Sequence, residues 1–290
     1  MPVRGVVSPG SAGASMNATQ RYGARMRGVG VLERVGIVVL LLLLAISLAA
    51  PLFVTDPVIS VGPAFQPPSL QHLLGTDDVG QDIFARVMYG MRTSWLSAVA
   101  VIASAIVVGG LIGLVAGARG GWVDSLLMRL TDTFLALPGP VLAIAVAAAL
   151  GASLRNTVIG IAVVWWPWYA RLVRGEIRSL AARPHVDAAR LSGVSRGRLM
   201  FRHLLPGAIP PVIVTASLDI QILVLTLAGL SFIGLGAPAP SPELGAMAAR
   251  GADSLFTSPW IPLAPGCAVF ILAVAANLAG DGIRDLFDRG

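Results

Sequence analysis

The chain has 290 residues, 56% of them hydrophobic and only 12% charged, and its mean hydropathy is +0.80. A soluble globular domain carries about 25% charged residues, so the composition excludes one and marks a polytopic membrane protein built as a single bundle of spans. The formal charge is +6 and all 21 basic residues are Arg. Arg retained on the inner side of a membrane accounts for that charge better than nucleic-acid binding does. Without Lys the chain cannot form a Walker A loop, whose Lys reaches the nucleotide phosphates.

Residues 1–34 combine Gly and Ser with Arg4, Arg21, Arg25, Arg27 and Arg34, the composition of a disordered tail. Residues 35–54 are uncharged and long enough to span a bilayer. The rival reading is a signal peptide cleaved near Ser47-Leu48-Ala49, but the basic leader is too long and the apolar core too extended. Residues 55–92 are Pro-rich and then acidic, with Asp56, Asp77, Asp78 and Asp82. From Asp82, the spacing of Ile83, Val87 and Met91 predicts a short amphipathic helix on the membrane.

A core of five further spans is expected over residues 93–283. The second span, about 93–117, carries Gly109, Gly113 and Gly117 on one face. Such a stripe lets another helix approach closely, although Gly is also simply common in membrane helices. The third, about 126–150, has Arg129 and Asp132 three apart, placed to pair. Asp132 is either a functional intramembrane charge or half of an interfacial ion pair. Pro138-Gly139-Pro140 interrupts this span, because proline removes a backbone donor and clashes with the preceding turn. Kinked or broken helices in membranes tend to line cavities. The fourth span, about 156–172, ends in Trp165, Trp166, Trp168 and Tyr169, as an aromatic belt would. The fifth, about 207–235, contains Asp219 and Gln221. A segment rich in Pro and Gly follows, then the sixth span at about 261–280 and a C-terminus at 284–290.

Six spans put both termini on one side, together with the 118–125 loop and the polar region 173–206. Counted with Arg171 at the end of the fourth span, that side holds sixteen Arg against four opposite, so it is expected to be cytoplasmic. The 55–82 segment is then external. No HExxH, GxSxG, CxxC or Gly-rich nucleotide motif occurs, and the spans hold few carboxylates, which argues against an enzyme or a proton relay. Cys267 is alone and His72, His185 and His203 are scattered, so neither a disulfide framework nor a metal site is expected.

The region 173–206 has order that a solvated linker does not need. Pro184 suits a first helical position and Gly193 a C-terminal stop. Ser195 can cap a second short helix, which Pro206 ends before the fifth span. Ala188 and Ala189 leave a flank that fits a partner's groove, and Asp187 favours the helix N-terminus. By residue chemistry alone, a partner-docking helix and a loop held by phospholipid headgroups remain equally open.

DAARLSGVSRGRLMFRHLLP closely resembles the EAA loop of membrane subunits of bacterial ABC importers. GTDDVGQD with ARVMYGMRTS, RLTDTFLALPGPVLAI, LSFIGLGAPAPSPELG and NLAGDGIRDLFD resemble the C-type branch of the dipeptide, oligopeptide and nickel permeases, in family order over about residues 72–290. Departures are Asp187 for the usual Glu, Gln81 for Arg, Leu227 for Glu and Leu244 for Trp. The resemblance implies an all-α permease of the type I importer fold in a bacterial plasma membrane. It also implies a homologous second permease, two ATPases that bind ATP and Mg, and an external solute-binding protein, with no cofactor in this chain itself. It makes Asp187, Ala188, Ala189, Arg190, Gly193, Arg202 and Pro206 the ATPase-coupling residues. Asp132, Pro138 and Asp219 are the pathway candidates. The implied solute is a di- or oligopeptide, with nickel or a nickel chelate as the alternative; a self-contained channel or small membrane enzyme leaves the EAA-like loop unexplained.

Overall fold

The structure, a computed structural model, describes residues 30–288. The expected tail over 1–34 therefore lies almost wholly outside the described residues, as do positions 289–290 of the expected C-terminus. Among the described residues the regular structure is helical, with two isolated antiparallel bridges, Ser60 with Gln81 and Thr76 with Asp82.

α1 (Val31–Phe53) is the first apolar run. α2 (Ile83–Arg119) starts at Asp82, whose side chain accepts from the Ala85 amide at 3.0 Å, an N-cap that satisfies one of the helix's orphan donors. The separate amphipathic helix expected before residue 93 does not exist: α2 runs unbroken for 37 residues. The reason is local. Nothing near Arg92 and Thr93 breaks a helix, and Ile83, Val87, Met88 and Met91 are buried in the main core rather than laid on a membrane. Residues 55–82 fold over these first turns.

Gly120 and Gly121, both at positive φ, turn the chain into α3 (Gly121–Leu135). α3 and α4 (Gly139–Leu150) meet at an 84° bend across Ala136-Leu137-Pro138. The interruption at Pro138 is thus an elbow between two helices rather than a kink within one. α5 (Leu154–Ala181) is capped by Ser153 and runs well beyond the expected end near 172. α6 (Pro184–Leu191) and α7 (Arg196–Leu199) follow. A π-helical turn, Met200–Leu204, leads into α8 (Leu205–Leu230), which ends in a second π turn, Ser231–Leu235. α9 (Leu244–Gly251) and α10 (Trp260–Asp288) complete the chain.

α1, α2, α10 and the stretch centred on α8 are each long and apolar enough to cross a membrane, and the bent α3–α4 pair qualifies if taken as one span. α5 is not in that set; its C-terminal half carries Arg171, Arg174, Glu176 and Arg178.

The Gly stripe of α2 lies directly on α5. A Cβ at Gly109 would stand 2.2 Å from the Trp166 carbonyl oxygen, one at Gly113 2.3 Å from that of Ala170, and one at Gly117 3.0 Å from Ile177. Where lipid is as apolar as the side chains, such close backbone approach is what holds helices together. α10 packs on α1 in the same way, with Gly36 against Leu278. Apolar clusters tie the layers: Val101, Leu223, Leu227 and Leu244 in one, and Tyr169, Ile177, Leu180, Leu199 and Leu204 in another.

Candidate functional site: a docking helix and the charged seams behind it

α6 is an eight-residue helix with one strong anchor. Val186 is fully buried among Ile177, Leu180, Leu199 and Leu204, while Pro184, His185, Asp187 and Ala188 are exposed. Ala189 is half-buried, and the Arg190 side chain lies outside what the structure describes. The helix ends because Gly193 adopts φ +76°, a left-handed conformation that costs a residue with a Cβ about 1–2 kcal/mol. Nothing crowds Gly193, so conformation alone demands glycine there. The Val194 amide then donates to the Ala189 carbonyl at 3.2 Å, closing a Schellman turn. Arg202 is exposed in the π turn, and Pro206 is the second residue of α8, which continues directly from that turn. Beyond α6, the ends of α2 and α5 with Phe201 and Leu204 line an open cavity of about 890 Å³.

Deeper in the bundle, Asp219 of α8 accepts from Tyr169 Oη at 2.9 Å and Trp165 Nε1 at 3.1 Å, both on α5. Tyr169 is fully buried and Trp166 nearly so, so they do not form the expected headgroup belt; only Trp168 of this group is exposed. The sequence spaced these rings as a terminal cluster, but the helix carrying them continues for three more turns and turns them inward. Asp132 does not pair with Arg129; its partner is Arg171 of α5 at 2.6 Å. Pro138 is the N-cap position of α4 at the elbow. The structure therefore places Asp132 and Pro138 on the broken pair and Asp219 at the α5–α8 contact, without bringing the three together.

Two charged groups escaped the sequence reading. Asp124, 4% exposed, accepts from Arg174 Nε at 2.5 Å, Arg174 Nη2 at 2.8 Å and Arg178 Nη2 at 2.5 Å. Arg174 and Arg178 stand four apart and share one helix face, which was the available signal. At the opposite end of α2, buried Arg86 donates to Gln81 and to the carbonyls of Pro57 and Pro240, with Asp77 at 3.5 Å. Gln81, a departure from the family pattern, thus serves as acceptor for Arg86. Asp77, Asp78, Arg86 and Arg250 help line a cavity of about 270 Å³ at that end.

An exposed, glycine-terminated helix set between the long α5 and the membrane-length stretch of α8 is the arrangement expected of a multi-span membrane subunit with a docking loop. A family described as the binding-protein-dependent transport system inner membrane component matches residues 109–290. A dipeptide transport system permease protein of Alkalihalophilus pseudofirmus is 39% identical over 88% of this chain and 84% of that protein. A probable D,D-dipeptide transport system permease protein of Escherichia coli is 44% identical over 87% and 85%. A nickel transport system permease protein of the same organism is 39% identical over 88% and 93%. The fold is similar to that of the MetNI methionine ABC transporter in inward-facing conformations, with TM-score 0.57 at 18% identity, over 70% of this chain and 97% of that one. The chain belongs to the binding-protein-dependent inner membrane component family: it is a permease subunit of an ABC importer and not itself an enzyme.

Proposed function

We propose that this subunit moves di- or oligopeptides inward by alternating access, with α6 as the helix on which a separate ATPase pushes. The chain crosses the membrane six times, α5 included, with both termini in the cytoplasm and residues 55–82 outside. A homologous permease completes the pathway, two ATPases bind the ATP and Mg, and an external binding protein delivers solute. The observation that carries this reading is the build of α6: exposed on its outer face, rooted through Val186, and closed by Gly193. Asp187 is the docking charge, Ala188 and Ala189 are the close-packing flank, and Arg190 and Arg202 support the contact. Pro206 starts the helix that carries the motion back into the bundle. Asp132, Pro138 and Asp219 mark the pathway side.

The peptide reading is supported by relatives whose names specify dipeptides, and a nickel permease at similar identity supports nickel or a nickel chelate as the second reading. Ligand binding by the cognate external protein separates the two. For coupling, Gly193→Val forces a β-branched residue into φ +76° and is expected to weaken ATPase association and abolish uptake in the assembled complex. Wild-type association and uptake in that variant would remove α6 from the coupling role.

A further inference from the structure

The α3–α5 seam is the most ordered charged feature that the coupling reading leaves unused. Four contacts run along it. Asp124 takes Arg174 and Arg178, Asp132 takes Arg171 at 2.6 Å, and the Phe134 ring stands edge-on to Trp166 at 5.2 Å. As the α3 number rises, the α5 number falls, so the helices lie antiparallel and are joined along the whole of α3. The tightest joint is Asp124: one buried carboxylate gripped by three charge-assisted hydrogen bonds. α5 continues through Ala182 and Arg183 into α6, whose Val186 is seated among Ile177 and Leu180 of α5. At its other end α3 stops at the elbow before Pro138. α4, beyond the elbow, lies on the N-terminal half of α5, where a Cβ at Gly160 would come 2.8 Å from the Ala143 carbonyl oxygen.

We infer that Asp124 is a positioning residue for transport: by holding Arg174 and Arg178 it makes α3 move as one piece with the C-terminal half of α5. Displacement of α6 then reaches the elbow at Pro138 and changes the angle between α3 and α4. Without the grip, α6 still takes the push, but α3 does not follow. This inference rests on the reading of α6 as the coupling helix.

The test uses the full complex in proteoliposomes, with external binding protein, a labelled dipeptide and ATP, and reads uptake per ATP hydrolysed. Asp124→Asn keeps the shape and removes the charge. Uptake per ATP is expected to fall at least about fivefold, the lower end of ordinary coupling between sites, while Asp124→Glu stays closer to wild type. Should Asp124→Asn fail to assemble, Arg178→Gln removes the half-exposed partner and is expected to lower the same ratio. An unchanged ratio in the assembled variant overturns the inference, and so does an equal loss in Asp124→Asn and Asp124→Glu, which would mark a packing position rather than a charged grip. Gly193→Val run in parallel keeps the two readings apart. If it loses ATPase association while the Asp124 variants keep their ratio, only the seam inference falls. If it behaves as wild type, the coupling reading falls first.

Discussion

Glu243 is 1% exposed and caps α9, accepting from the amides of Gly245 at 3.1 Å and Ala246 at 2.9 Å. It lies between α8 and α10, outside the membrane-length segments. Burial pushes its carboxyl above the usual range, and the two amides pull it part of the way back. A raised acid binds its proton more tightly folded than unfolded, so its contribution to stability is fully present below the unfolded value and is lost as pH rises through the folded one. Thermal unfolding of the purified subunit in detergent should therefore show a rise in midpoint as pH drops from neutral toward the ordinary carboxylate range. Glu243→Gln, always neutral, is expected to flatten that rise; an identical slope in both proteins would show that other groups set it. The Asp219 contact with Trp165 and Tyr169 was not legible in sequence, because partners 50 and 54 positions away are joined only by helix packing. The Glu243 cap, made to amides two and three residues on, is by contrast a local signal that the sequence reading passed over.

At the scale of elements, the α2–α5 contact gives the sharpest internal control. Gly113 and Gly110 sit on the same helix, but a Cβ at Gly113 meets the Ala170 carbonyl oxygen at 2.3 Å while one at Gly110 meets nothing. Gly113→Ala is expected to cost about 1–3 kcal/mol by overpacking against backbone that cannot yield. Gly110→Ala is expected to be neutral or slightly stabilising, since Ala is the better helix former. Unfolding midpoints of the two variants decide the matter, and equal midpoints would contradict the close approach. The stripe was readable because four-residue spacing is a property of one helix. The break at Pro138 was readable for the same reason, as was the stop at Gly193. The start of α2 was misread because apolar residues at helical spacing do not say whether a membrane or residues 55–82 will cover them. Asp124 went unnoticed because a lone acid after a short loop acquires meaning only beside Arg174 and Arg178.

For the whole molecule, the assembly proposed above leaves the isolated subunit with no energy source and only part of a pathway. Reconstituted alone in liposomes with dipeptide outside and ATP inside, the chain is expected to give no solute accumulation, whereas the four-subunit complex with its binding protein accumulates it. Equilibration of dipeptide into those liposomes by the chain alone, without ATP, would restore the self-contained channel. The length of α2 bears on where the molecule sits in its bilayer. At about 1.5 Å per residue, its 37 residues form a rod of about 55 Å, well beyond a hydrocarbon layer of about 30 Å. Its large exposed apolar side chains begin at Leu96 and end at Val115, a rise of roughly 30 Å. Because the Gly stripe fixes the rod to α5, it cannot change tilt alone when lipid thickness changes. Hydrophobic mismatch is then expected to be taken up by the surrounding acyl chains, which thin or stretch to match the apolar length between Leu96 and Val115.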